Sequence, residues 1–333
     1  MQNAPSFAQG MFEGWAGSSP VPARKEDLRS LGIGINRYSD GMHGSLSRAV
    51  LLHTTFALAV CSSGLGQPRE LTLTPAIVEA GAPELIRVEA PHADSVSGEW
   101  LGHKIAFFKL HNGTWAALAG VDVEAPVGPS TLHIAAIGHD LNNKIDKTVE
   151  IHAAHYRTGT LSVAPKFVEP GPDALKVIEE ESKVKAKVFG ESAKEPLWAG
   201  NFRAPVAAQP TDSFGTRRMF NKKLASIHKG ADFRAAMGTP VHAANSGVVV
   251  LARPLYYEGN CVIIDHGMGL FTLSMHFSRI DVHEGQHVQK GDQLGLSGAT
   301  GRVTGPHLHW AVRWEGAYLD PLKLLKLNLN EAP

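Results

Sequence analysis

The chain has 333 residues, 43% of them hydrophobic, and its 32 Lys and Arg balance its 32 Asp and Glu, so no net field draws it to nucleic acid or an anionic membrane surface. Its length suits one large domain or two to three small ones, and 34 Gly and 20 Pro with only 7% aromatic residues favour numerous turns and short strands. Its two cysteines, Cys61 and Cys261, have no CxxC partner and argue against a disulfide framework.

Arg48 precedes an apolar run, Ala49 to Val60, that is too short to span a bilayer comfortably. Ala57 and Ala59 place small residues two apart near its end, so the run reads as a secretory signal with a cleavage site. A buried helix is the bland alternative. Leu58 to Cys61 offers a second version, a lipobox that would leave a lipidated Cys61, although Val60 suits it poorly. Residues 1–41 are polar and rich in Gly, Ser and Pro, which is odd ahead of a signal. Either Met42 is the true start or the preceding stretch is a leader.

From Glu70 the pattern changes to short alternating runs, such as Leu71–Thr74, Leu85–Glu89, Ile105–Leu110, Thr114–Leu118 and Thr131–Ala136. Turn signals at Gly81–Pro83 and Pro126–Gly128 punctuate them. This spacing predicts an immunoglobulin-like β-sandwich over 70–165. His152 and His155 have no third ligand nearby and read as strand-face or loop residues. A charged, Gly-poor stretch from Asp173 to Glu195 then predicts a helix within a linker over 166–200, its charges forming a solvated face. Strands return over 201–325, at Gly247–Ala252, Cys261–Asp265, Gly269–Leu273, Leu294–Ser297 and His307–Val312. The predicted fold class is mainly β: a sandwich, a linker helix and a second antiparallel β domain.

Seventeen histidines invite a search for metal ligands. A metal-dependent hydrolase needs a few N and O ligands, an open position and acid/base groups beside it. The last domain supplies these types in three places: His228 with Asp232, His276, and His307 with His309. Successive strand side chains face opposite ways, so His307 and His309 share a face while Leu308 and Trp310 pack behind. Gly230 argues against a helix between His228 and Asp232, which places them on a loop entering a strand. His283–His287 matches H-E-x-x-H, but that motif works only on a helix, and Gly285 with the turn residues after it leaves room only for a hairpin. His266 and His242 read as scaffold.

With these residues in view, Gly215–Pro321 resembles the lysostaphin/LytM-type zinc metalloendopeptidases. The likeness runs through His228 and Asp232, Gly259–Gly267, Met275–Ser278, Val282–Asp292, Gly298–Gly301, Gly305–Trp310 and Asp320–Pro321. It implies an antiparallel β fold with a narrow groove and Zn2+ held by His228, Asp232 and His309. It also implies an unligated catalytic pair, His276 and His307, and bacterial peptidoglycan as substrate. Export to the periplasm or cell envelope follows. Asn260, Arg302 and Thr304 are candidate substrate-binding residues. Many members carry an aromatic residue where Ser274 stands and a Leu where Phe277 stands, which bears on substrate preference and not on catalysis. Each ligand histidine needs an acceptor for its other ring nitrogen; Asp265 and backbone carbonyls are candidates. Which of His276 and His307 is the base stays open. Two other functions remain: a non-enzymatic cell-wall binder or activator of another hydrolase, and an endopeptidase acting on secreted proteins.

Overall fold

Strands carry nearly all of the architecture, as the composition predicts. The computed structural model describes residues 70–330 except 111, 112 and 223. The signal run, Cys61 and Met42 lie outside the described residues. No helix among the described residues is long and apolar enough to cross a membrane.

Residues 71–152 form two sheets. One has four strands in the order Leu71–Thr74, Pro83–Glu89, Thr114–Gly120, Phe108–Lys109. The other has five, in the order Val78–Glu79, Leu141–His152, Gly128–Gly138, Ser95–Trp100, His103–Ala106. Leu141–His152 alternates between buried or half-buried and exposed residues along its length, the mark of a strand with one wet face. Thr114–Gly120 is instead buried on both faces, because a second layer covers it. Trp198 packs edge-on to Phe108 with centroids 5.8 Å apart. Gly120 faces Leu319 so closely that a Cβ there would lie 2.4 Å from its side chain. Apolar residues from Val78 to Leu329 therefore join one core cluster.

The rear sheet has ten strands, and its main path runs Pro210–Asp212, Ala231–Phe233, Leu308–Trp314, Leu270–Ile280, Gly259–Asp265, Gly247–Leu255, His287–Val288. Leu270–Ile280 is buried through its first eight residues, as a central strand of such a sheet must be. A separate small sheet pairs Thr158–Leu161 in parallel with Arg217–Phe220, which turns back antiparallel into Leu224–Ile227.

The predicted helix spans Pro172–Gly190 and starts with proline in its first turn, where the missing N–H costs nothing. It is not a free tether. Val184, Val188 and Phe189 pack on a second apolar cluster that includes Leu251, Ile263, Phe271 and Leu273. The solvated-face expectation for its charges needs correction at two positions. Lys185 pairs with Glu258 at 2.5 Å, and Glu181 accepts from the Tyr256 amide at 2.9 Å. Register across the helix–sheet seam, invisible in a linear pattern, decides which charges meet partners.

Candidate metal centre

Three adjacent strands bring the site together by register. Asp232 stands opposite His309 on one side, and Met275, beside His276, stands opposite His309 on the other. His228 reaches the same point from the loop ahead of Ala231–Phe233. That loop keeps Gly230 because His309 fills the space: a Cβ would lie 2.5 Å from its Nε2.

The ligand atoms of His228, Asp232 and His309 all lie within 4.8 Å of one another. Asp232 Oδ1 is 3.0 Å from His228 Nε2 and 2.8 Å from His309 Nδ1, and the two nitrogens are 3.0 Å apart. His228 Nδ1 donates to the Ser213 carbonyl at 3.0 Å, which leaves the Nε2 lone pair aimed into the cluster. Two imidazole nitrogens and a carboxylate oxygen converging on one point suit zinc, whose neighbouring ligands sit roughly 3.3 Å apart at tetrahedral angles. Burial alone would raise the Asp232 carboxyl, but the close approach of His228 and His309 holds it far below the usual carboxylate range. Burial first lowers His309 to about 4, against the raising effect of Asp232, so its imidazole is neutral at neutral pH.

His276 and His307 stand beside this cluster with ring centroids 4.9 Å apart. His276 Nδ1 donates to Thr300 O and His307 Nδ1 to Gly305 O, both at 2.8 Å. Both rings are thereby fixed with Nε2 free to accept a proton. His276 is not an ordinary strand residue. Pairing with Gly259–Asp265 slips between Asn260 and Val262, and the extra residue is accommodated at His276, whose φ of 66° is left-handed. A bulge re-aims a side chain that regular pleating would send elsewhere, and such strain collects at functional sites. Burial, then the neighbouring His309 and His307, lower His276 to about 3, so it too is neutral.

Asn260 Nδ2 donates to Phe277 O at 3.0 Å, bracing the bulged strand. The Arg302 guanidinium lies over the rings of Phe220 and Tyr257 at 4.6 and 4.7 Å. Thr304 is exposed. Asp265 is no acceptor for a ligand histidine: it accepts from Ser192, Ala193 and Gly267, and for His228 the Ser213 carbonyl takes the role instead. His266 is fully buried between Ser246 O and Thr272 Oγ1 as scaffold. His283 and Glu284 lie in a turn, with Glu284 paired to Arg253. Missed altogether was Arg218, whose Nη2 donates to Asp232 Oδ2 at 2.5 Å; nothing in the local pattern around Arg217 and Arg218 singles it out.

A largely buried His, His, Asp cluster with two further imidazoles at its rim, set on a β-sheet, fits the site of a metal-dependent hydrolase. Residues 226–321 match peptidase family M23, and the chain carries a domain of that family. It is 43% identical over 123 residues to the peptidoglycan DD-endopeptidase ShyA of Vibrio cholerae, covering 37% of this chain and 28% of that one. It is 29% identical over 246 residues to ShyB of the same organism, also a peptidoglycan DD-endopeptidase, covering 68% and 55%. The chain thus spans about a quarter to a half of the length of these curated relatives. A solved structure assigned to peptidase M23 from Pseudomonas aeruginosa has the same fold. It shows 26% identity, a TM-score of 0.57, and coverage of 74% of this chain and 95% of that one. That likeness extends well beyond residues 226–321.

Proposed function

We propose that the protein is an exported zinc-dependent endopeptidase that hydrolyses peptide cross-links or stem peptides of bacterial peptidoglycan. The observation that carries this reading is the complete set of five residues: His228, Asp232 and His309 converging on one point, with His276 and His307 beside it. The similarity to ShyA and ShyB, both peptidoglycan DD-endopeptidases, supports the substrate class.

Zinc held by His228, Asp232 and His309 would supply Lewis acidity toward the scissile carbonyl and the attacking water. The chain's own residues manage the protons. A neutral imidazole of the His276–His307 pair accepts the water proton at Nε2 as the water oxygen adds to the carbonyl carbon. The other imidazole lies against the developing oxyanion. The acquired proton then passes to the departing amine as the C–N bond breaks. The hydrogen bonds to Thr300 O and Gly305 O keep both rings oriented throughout. Asn260, Arg302 and Thr304 line the approach in this reading, with Thr304 the best exposed.

Residues 70–165 act as a docked module that positions the catalytic domain, joined to it through 166–200. An immunoglobulin-like reading of this module is supported by its strand order, which follows the pairing of that sandwich type, including the short parallel pairing of Val78–Glu79 with Leu141–His152. Export to the periplasm or cell envelope rests on the run Ala49 to Val60.

The test is digestion of purified peptidoglycan by the protein, with and without a chelator, followed by mass analysis of the fragments. New peptide termini that vanish with chelator and return with zinc are expected. Zinc-loaded protein that releases nothing from peptidoglycan but cuts denatured casein would move the substrate to secreted proteins.

A further inference from the structure

Arg218 stands outside the ligand cluster yet grips one member of it. Its Nη2 donates to Asp232 Oδ2 at 2.5 Å, while Oδ1 of the same carboxylate faces His228 and His309. The two carboxylate oxygens are thus divided, one toward the ligand point and one toward the guanidinium. A carboxylate without such a partner can turn about its last torsion and bind a metal through either oxygen or both; a planar fork held at its other end removes that choice.

The other end is held. Arg218 Nε and Nη2 donate to Asp212 Oδ2 at 3.0 and 2.5 Å. Asp212 in turn accepts from the Ser213 amide, Thr216 Oγ1 and Arg157 Nη2 at 2.9, 3.0 and 3.3 Å. Its carboxylate also offsets a positive charge that would otherwise repel a metal ion, and its Oδ2 lies 3.7 Å from His228 Nδ1. Arg218 is only 13% exposed. It sits on Arg217–Phe220, which pairs in parallel with Thr158–Leu161, Gly159 opposite Arg218. Arg157, Asp212 and Arg218 all precede residues 226–321 matched by the family.

We propose that Arg218 is a positioning residue that presents Asp232 to zinc through Oδ1 alone, and that Asp212 and the strand Thr158–Leu161 hold it there. The chain ahead of the family domain thereby completes that domain's metal centre. The proposal rests on the zinc reading above, and its test separates the two.

Full-length protein, stripped with a chelator, is titrated with zinc against a chromophoric competitor, and metal-free melting is followed by circular dichroism. Wild type is expected to bind zinc and His309→Ala to fail. Arg218→Ala should bind about 10- to 100-fold more weakly, the range for lost partners of metal ligands, with Asp212→Asn between it and wild type. Arg218→Lys, a point charge that reaches one carboxylate but cannot fork between two, should recover part of the loss. If Arg218→Ala also lowers metal-free melting, Arg218→Lys decides, because with wild-type melting it must still bind more weakly than wild type. Wild-type affinity in Arg218→Ala, or in a normally melting Arg218→Lys, overturns the proposal and leaves the zinc reading standing. Wild type that takes up no zinc overturns the zinc reading itself.

Discussion

His276 and His309 lie within one sheet and touch, with centroids 6.0 Å apart, yet the chemistry asks different things of them. His309→Ala removes a ligand and is expected to abolish zinc binding and hydrolysis together. His276→Ala and His307→Ala are expected to keep the metal, measured by atomic absorption, while turnover falls by about 10²- to 10⁴-fold, the usual range for a lost acid/base group. Gly230→Ala tests the close approach beneath His309. Its Cβ would lie 2.5 Å from His309 Nε2 and 2.7 Å from Trp310 O, so the imidazole must move. A drop in zinc affinity on the order of tenfold is expected by competition titration, and unchanged affinity would show that the loop yields instead. The histidines themselves were legible in the sequence because His-x-His on a strand, His-x-x-x-Asp around a glycine and a strand histidine between them occur together in one β domain, although neither motif is strong alone. The bulge at His276 was not, since it depends on how Leu270–Ile280 pairs with Gly259–Asp265.

At the scale of elements, the helix Pro172–Gly190 shows how far a linear pattern reaches. Its Pro start, charge content and glycine-poor run announce a helix. Its packing partners do not appear in that pattern, and Phe189 stacking edge-on to Phe271 at 5.2 Å makes it a brace across the outer face of the rear sheet. Lys185 and Glu258, with side chains only 16% and 11% exposed, seal that seam. Lys185→Met leaves a buried carboxylate without its main counter-charge and should cost about 3–5 kcal/mol. Replacing Glu258 by Leu in the same chain should restore most of the loss, because an ion pair and an apolar pair of similar volume are close in energy. Urea unfolding of the two variants checks both statements. If the single variant unfolds like wild type, the pair contributes nothing to docking the helix.

The whole molecule carries a titrating group in its shared core. Glu84 is fully buried, and neither carboxylate oxygen has a hydrogen-bond partner among the described residues. Burial raises its carboxyl from 4.5 to about 8, with Lys323 opposing weakly. The folded state therefore keeps a proton that the unfolded chain has released. The stability this group permits is complete below the unfolded value of 4.5 and is lost as pH rises through about 8, at a limiting slope of roughly 1.4 kcal/mol per pH unit. Unfolding between pH 5 and 8 should show wild type weakening with pH and Glu84→Gln losing that part of the slope; identical slopes would place the carboxylate in water. The front sandwich meets the rear domain through Asp320 N to Gly81 O at 2.7 Å, Tyr318 N to Asp122 at 2.7 Å and Lys229 to Glu124 at 2.9 Å. Lys229 directly follows His228, so the contact ends beside the cluster of His228, Asp232 and His309.

The amino-acid sequence by itself determined the β class, the helix ahead of the last domain and the five histidine and aspartate positions. Period-two alternation, turn glycines and ligand chemistry are local properties, written within a few residues of one another. Only the tertiary structure decided which oxygen of Asp232 faces the ligand point, which arginine holds the other, and where His276 bulges from its strand. It also decided that the strand Thr158–Leu161 pairs with the strand that carries Arg218, ahead of residues 226–321. These features depend on pairings between residues tens of positions apart, as with Gly159 and Arg218 or Asp232 and His309, and register between distant strands is settled by packing of the whole core rather than by any local run.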